Sequence, residues 1–508
     1  MKQKRLLAAL LALLMMLSAL SLVACADDAD PTEDPSSDAT DDTTPDDEPK
    51  PEEDPRIPLD YLPSDTYDGT EIHVLEWSAN GQVDVGFDWI PWEEIDVDMS
   101  DGDLISGAIY DRNGFVEETY DVKITKEYVS IDGNPPYSAV FQNNETSGDE
   151  AYQMITMRSV NIARFCMDGL MTNMNDLSNL HTDMPWWSQD SVRSYTMGSA
   201  LYFAAPEMLL RDKGATAAMY FNQKIAADAN VGDLYELVES GDWTLETMLS
   251  MAEDVTADMD GDDIVSSAED MYGLNAGPRD IPYYIFAGAG KKFATIDEDG
   301  YLNLEFGDEE TMMIWQDVLD YVLYADFYFV NQSDPTLVPE KFNVFTAEKA
   351  LFQTGMVKSV LSMRNMESDY GVLPIPKYDE YQEQHASLVW MHHDCVLGIP
   401  ASCSNKEAIS VVLEHMSYIS YYDIYPLFYD TIILGRSARD AQSKEMLKLI
   451  FATRSFDPGQ YWLNSSRLGH FLTVREQEVR NISSFWAGLK SSVETAIDDF
   501  NKKVEDLS

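Results

Sequence analysis

The sequence predicts an α/β protein built on parallel sheet, and three stretches carry that prediction. Residues 71–77, EIHVLEW, alternate in polarity between Gly69 and Asn80-Gly81 and read as a strand. Residues 103–120 space Leu104, Ala108, Ile109, Phe115 and Val116 for one helical face. Residues 121–129, DVKITKEYV, and 151–157, AYQMITM, read as the next two strands. Strand, helix, strand at this spacing implies parallel pairing with crossover helices, and ligands of such sheets sit beyond the carboxyl ends of the strands. The first strand ends at Trp77, where its indole is placed either to meet a ligand or to pack in the ordinary way.

The remaining elements follow along the chain. Residues 198–226 have two apolar, strand-like ends around a polar middle that contains Arg211 and Asp212. Residues 234–255 read as helix, turn at Gly241-Asp242, and a second helix starting near Thr244. EKALFQTGMVKSVLSM, 348–363, reads as a helix end, a break at Gly355 and a strand. YGVLPIPKYDEYQ, 370–382, is a strand stopped by Pro374 and Pro376, which forbid helix there. CVLGIPASCSNKEAISVVLEHMSYI, 395–419, is a strand, a turn and a helix with Asn405 as its cap.

The amino end is of another kind. Lys2, Lys4 and Arg5 precede a run of Leu, Ala and Met over 6–17, too short to span a bilayer comfortably, which needs about 20 apolar residues. The run ends in Leu22-Val23-Ala24-Cys25. Residues 26–56 are acidic and hold six prolines and no aliphatic side chain larger than alanine, so they bury too little to offset chain entropy and stay extended. The whole chain has 34 basic against 90 acidic residues and a formal net charge of -56. That balance and the lack of a basic run exclude nucleic acid as a partner. Beyond the leader about 450 residues remain, enough for two or more lobes. Only Cys166, Cys395 and Cys403 follow Cys25, so this is no disulfide scaffold; Cys395 and Cys403 are the pair nearest in sequence.

Leu22-Val23-Ala24-Cys25 resembles the lipobox of bacterial lipoproteins. The chain as a whole resembles an extracellular solute-binding protein of family 1, the ABC-importer lipoproteins of Gram-positive type. The resembling stretches include DRNGFVEETYDVKI, DMPWWSQDS, ALYFAAPE, LYELVESGDWTLETM, DYGVLPIPKYDE and GRSARDAQSKEMLKLIFATRSFD, in that order. The resemblance implies a two-lobed, periplasmic-binding-protein-like fold of type II with the ligand cleft between lobes. It implies a signal peptide over 1–24, a lipid on Cys25 and a disordered tether over 25–66. The first lobe would take 67–204 plus 352–401, the second 205–351 plus 402–508. It also implies a monomer that captures a mono- or oligosaccharide by lobe closure and passes it to importer permease subunits. The location would be the outer face of the cytoplasmic membrane, with no catalysis. The rivals are a lipid-anchored glycoside hydrolase working through two carboxylates, and a binding protein for a non-sugar solute.

A sugar site wants aromatic plates and planar hydrogen-bonding groups. Trp186 and Trp187, in a loop after Pro185, are the best plates, with core packing as the alternative for one of them. Arg211 and Asp212 could bond a hydroxyl or carboxylate, or form an ion pair. Trp390, His392 and His393 of VWMHHDC lie near the expected return crossing. Neighbouring histidines of an extended segment point to opposite faces, so zinc is not expected there. DMDGDDIVSSAED, 258–270, resembles a calcium loop, with Asp258, Asp260 and Asp262 at positions 1, 3 and 5. Ile264 would offer its carbonyl, Ser266 the ninth ligand, and Glu269 or Asp270 the last. Its departure is Asp263, where glycine makes the turn. No cofactor is required; the loop is read either as a structural calcium site or as an acidic helix-to-loop turn.

Overall fold

The computed structural model describes residues 54–78, 94–97, 104–131, 135–265, 269–325, 328–329, 344–363, 365–433, 441–464 and 468–507. The expected signal peptide, Cys25 and the tether up to residue 53 lie outside them. The strands in chain order are β1 (Thr70–Ser78), β2 (Val122–Ser130), β3 (Met154–Met157), β4 (Phe203–Ala204), β5 (Ala217–Asn222), β6 (Tyr272–Asn275), β7 (Ala294–Ile296), β8 (Leu302–Leu304), β9 (Tyr328–Phe329), β10 (Ala350–Met356), β11 (Tyr370–Leu373), β12 (Ser387–Leu388), β13 (Val396–Gly398) and β14 (Arg454–Ser455).

Two five-stranded sheets are the centres of two lobes. The first has the order β2-β1-β3-β13-β4 and the second β11-β5-β10-β6-β9. β1 runs parallel to β2, from Thr70 opposite Val122 to Ser78 opposite Ser130, and parallel to β3. Val74 and Leu75, on opposite faces of β1, are both buried, as a central parallel strand requires. The crossover helix Leu104–Tyr120 buries Ile105, Ala108, Ile109, Arg112, Val116 and Tyr120, a 3.6-residue repeat. In the second sheet β10 is parallel to β6 and antiparallel to β5. Helix Leu245–Val255 touches β6 backbone to backbone: a Cβ on Gly273 would fall 2.1 Å from the Ala252 carbonyl oxygen.

Two sequence expectations change here. The stretch around Gly355 is strand first, β10, and then a short 3₁₀ turn, Val357–Leu361. β10 is covered on both faces, so its ALFQT has no alternation to betray it and imitates the end of an apolar helix. Of the segment 352–401 expected in the first lobe, β10 and β11 pair in the second sheet, and β13 alone of its sheet strands joins the first. Helix Lys406–Ile419, expected in the second lobe, shares its contacts with helix Leu104–Tyr120 of the first: His415 meets Tyr120 and Phe115.

That helix also corrects the extent of the leader. Residues 54–62, expected within the tether, are strapped to it. Leu59 and Leu62 are buried, Tyr61 Oη donates to Glu414 at 3.3 Å, and the Ile57 carbonyl lies 3.0 Å from His415 Nε2. Arg56 is 3.6 Å from both Asp111 and Asp423. Glu414 itself is fully buried. It accepts from Trp186 Nε1 at 2.8 Å, Trp187 Nε1 at 2.9 Å and the His181 amide at 3.1 Å as well as from Tyr61. One carboxylate thus satisfies four donors from two distant stretches, which is how a buried charge is tolerated.

Two outcomes are expected. Glu414→Leu strands two indole N–H groups and a peptide N–H in an apolar setting and lowers the unfolding free energy by about 3–5 kcal/mol in a denaturant titration. His415 gives a pH signature. Its Nε2 donates to Ile57 and its Nδ1 accepts from Tyr120 at 2.8 Å, and burial pushes the imidazole down to about 4 against the opposing Ile57 carbonyl. The folded form then binds fewer protons than the unfolded one between pH 6.5 and 4. Its contribution is complete above 6.5 and falls as pH falls through that window. The stability gap between the wild type and His415→Gln therefore narrows between pH 7 and 4, by at most about 3 kcal/mol.

Candidate functional site at the junction of the lobes

Three of the chain segments that cross between the lobes lie side by side. The first, 205–216, leads from β4 to β5. The second, 374–395, leads from β11 to β13. The third, 453–457, joins helix Ala441–Ala452 to helix Pro458–Trp462. Backbone bonds lace them together. The Trp390 amide donates to Ala215 at 3.0 Å, Val389 to Ser455 at 2.9 Å and Ser387 to Thr453 at 2.9 Å, and β12 pairs parallel with β14.

The first crossing brings charge into this bundle. Arg211 Nη2 lies 3.6 Å from Glu76 at the end of β1, and Arg211 Nε lies 3.4 Å from Glu94. Glu94 also takes the amides of Leu210 and Arg211. Asp212 is fully buried between Lys213, at 3.0 Å, and Arg454 of the third crossing. Lys213 reaches Glu207 at 3.0 Å. Every one of these side chains has an opposite charge within contact distance, and together they join β1 and two of the crossings.

The parallel strands of both sheets point their carboxyl ends at this junction. β1 carries Glu76 and Trp77 next to its last residue, Ser78, and β3 is followed by Arg158. The antiparallel β13 begins there, so Asp394, just before it, accepts from the Ser159 amide at 3.0 Å. In the second lobe β10 is followed by Val357-Lys358, and β6 by a turn carrying Arg279 and Asp280. The Arg158 guanidinium lies 4.8 Å from the centre of the Trp77 ring, with Arg211 at 5.6 Å. Arg158 Nη1 also approaches the His392 carbonyl at 3.4 Å, and Lys358 Nζ lies 3.0 Å from His393 Nδ1. Trp390 packs on Tyr283, Tyr284 and His392 with ring centres 5.1, 5.8 and 5.3 Å apart.

The electrostatics follow from burial. It pushes the His392 imidazole down to about 4, helped by Arg158 and Arg279, and holds His393 well below its ordinary value, helped by Lys358. It pushes Asp394 up to about 8 and Asp280 up to about 6, the latter against the pull of Arg279 and Lys358. At neutral pH the junction thus holds neutral histidines beside cationic arginine and lysine.

The structure brings Trp77, Arg211, Asp212, Trp390 and His392 into this one place. It separates Trp186 and Trp187 from it. Both indoles, expected as plates for a ligand, are buried with their N–H groups on Glu414, and Trp186 stands edge-on to Tyr418 at 5.1 Å. Their backbone meets the start of the first crossing, through the bond from the Glu207 amide to the Trp186 carbonyl. Arg211 and Asp212 are committed to protein charges rather than presented to solvent. Sequence reasoning missed Arg158, Lys358, Asp280 and Tyr284. The signal available for the first two was their position directly behind a parallel strand.

The acidic loop lies apart from the junction residues. Carboxylate oxygens of Asp258, Asp260 and Asp262 lie within 4.8 Å of one another. Asp258 accepts from the Gly261 and Asp263 amides, and Asp262 from that of Ile264. Asp263 stands where glycine was expected and adopts φ of 64°, the left-handed turn an aspartate tolerates better than most residues. Asp270 is buried and accepts from the Met259 amide at 2.9 Å, whereas Glu269 lends its carbonyl to Lys349; Ser266 lies outside the described residues. Cys395 and Cys403 are both free and buried, so they are not bonded to each other.

No protein-family profile and no curated protein sequence matches this chain. Solved structures do. The galacto-N-biose-/lacto-N-biose I-binding protein of an ABC transporter from Bifidobacterium longum matches with a TM-score of 0.53 at 9% identity. It covers 85% of this chain and 98% of its own. The ABC substrate-binding protein Lmo0181 from Listeria monocytogenes, solved with cycloalternan, matches at 0.52 and 11% identity over 86% of this chain and 100% of its own. A cyclo/maltodextrin-binding protein complexed with maltotetraose gives 0.52 and 12% over 86% and 98%. At such identity the likeness speaks for architecture, and the chain has the two-lobed α/β fold of these ABC-transporter sugar-binding proteins.

Proposed function

We propose that this chain is an extracellular, lipid-anchored solute-binding protein that captures a carbohydrate by lobe closure and delivers it to an ABC importer. The observation that carries this reading is the junction itself. Both sheets turn the carboxyl ends of their parallel strands toward three laced crossings, the place where open α/β sheets take ligands. The proteins of like fold are described as binding lacto-N-biose, cycloalternan and maltotetraose. Trp77, Trp390 and Tyr284 stand there with their rings buried in this conformation, so rotation about the crossings has both to uncover them and to supply the hinge. The ligand shifts open to closed by its differential affinity for the two states.

The buried carboxylates of the junction favour binding over glycoside hydrolysis. Glu76 and Glu94 face Arg211, Asp212 faces Arg454 and Lys213, and Asp394 is tied to the Ser159 amide. None of these is set up as one of two carboxylates flanking a glycosidic bond. The signal peptide, the lipid on Cys25 and a monomer on the outer face of the cytoplasmic membrane complete the reading. The calcium of this reading sits on Asp258, Asp260 and Asp262 and pins the loop ahead of β6.

Two measurements test it. A panel of mono- and oligosaccharides titrated into the protein is expected to give a saturable tryptophan fluorescence change and a higher melting temperature, with no reducing sugar released. No saturable response to any member, or turnover of one, overturns the carbohydrate-binding reading. Calcium added to chelator-treated protein is expected to raise the melting temperature, and Asp260→Asn with Asp262→Asn to abolish the rise. An unchanged melting curve removes the ion from the account.

A further inference from the structure

Helix Ile281–Gly288 begins just after the carboxyl end of β6. Asp280 is its N-cap, and the Tyr284 amide donates to the Asp280 carbonyl at 3.0 Å, the first turn of the helix. Four residues apart, the two side chains share one face. The Asp280 charge acts on the Tyr284 phenol. Trp390 of the second crossing packs on Tyr284, and His392 packs on Trp390. Asp280, Tyr284, Trp390 and His392 are therefore a run of neighbours that joins the second lobe to the crossings.

The polar ends of this run are unserved by the protein. Tyr284 Oη and His392 Nε2 are buried and have no hydrogen-bond partner among the described residues. The Asp280 carboxylate accepts no hydrogen bond among them either, and the charges that act on it are those of Arg279 and Lys358. The other acids of the junction are engaged: Glu76 and Glu94 face Arg211, Asp212 faces Lys213 and Arg454, and Asp394 takes the Ser159 amide. Buried polar atoms of native proteins are satisfied by something. Tyr284 is 1% exposed, so bulk solvent does not serve it in this conformation.

We propose that Asp280, Tyr284 and His392 are the groups that recognise the hydroxyls of the solute, with the Trp390 ring beside them taking an apolar C–H face. This rests on the carbohydrate-binding reading and narrows it to saccharides that present adjacent free hydroxyls to Asp280. An ionised carboxylate only accepts, so Asp280 selects donors, and its two oxygens can take two neighbouring hydroxyls. Tyr284 Oη and the neutral imidazole of His392 can each donate or accept, so they suit the remaining sugar oxygens. The same groups couple binding to closure. Parted lobes let water serve all three. Shutting on an empty cleft strands them, whereas shutting on a sugar replaces each lost water with a hydroxyl, so the solute favours the closed state.

Titration calorimetry on the mature chain with maltotriose, cellotriose, xylotriose, mannobiose and lacto-N-biose supplies the probe, the member bound most tightly. Asp280→Asn is expected to weaken its binding about tenfold or more, and Tyr284→Phe about fivefold. Without sugar, both variants are expected to melt no lower than the unmodified protein, because each removes a polar group that the fold itself leaves unserved. A purely structural role would lower the melting temperature instead. Unchanged affinity in both variants overturns the assignment and leaves the carbohydrate reading intact. A structure of the unmodified protein with the same sugar decides the matter whether or not the variants fold. Sugar oxygens are expected within hydrogen-bond reach of Asp280, Tyr284 Oη and His392 Nε2, and a sugar that touches neither Asp280 nor Tyr284 overturns the assignment. No binding by any member of this set or of the broader sugar panel removes both readings.

Discussion

Everything about the junction depends on burying charge without leaving any of it alone. Asp212 is fully enclosed, and an isolated carboxylate there would cost several kcal/mol. Lys213 beside it and Arg454 from the third crossing remove that cost, but only when the crossings lie where they do. Arg211 imposes the same condition on β1 and on Glu94. The ion network is therefore less a source of stability than a specification. It penalises any arrangement in which the first crossing is displaced from the end of β1 or from β14, while the backbone bonds from Val389 and Trp390 hold the second crossing in line.

Much of the first lobe could be read in the sequence because its elements are local. The strand ending at Trp77, the helix ending at Tyr120 and the strand after Asp121 each carry their own periodicity and their own turn, Asp121 taking a positive φ. The second sheet was harder. Its centre, β10, has no polar side to mark it, and its neighbours in space are β5 and β6, more than seventy residues earlier in the chain. Nothing in ALFQTGM states that partnership. The division of the chain between lobes failed for the same reason, since membership of a sheet is a long-range fact.

The candidate site shows how residue type can mislead. A pair of exposed-looking tryptophans after a proline suggested plates for a sugar, and indole rings do serve that purpose. An indole also has an N–H that must be satisfied when buried, and here Glu414, more than two hundred residues away, satisfies two at once. Trp77 and Trp390 did belong to the junction. Trp77 was legible because a strand end fixes its place, and Trp390 because it lies in the segment that returns to the first sheet. Lys358 and Arg158 escaped notice because an isolated base in an acidic chain looks like ordinary surface until both lobes are assembled.

The strap formed by residues 54–62 has a mechanical meaning. It is riveted through Ile57 and Tyr61 to helix Lys406–Ile419, and through Arg56 to helix Leu104–Tyr120 and to Asp423 just beyond. Any force transmitted along the polypeptide from upstream is borne first by those helices and not by the strands of either sheet. The body is in effect grounded at a pair of packed helices, where Tyr120 meets His415, and not at the laced crossings.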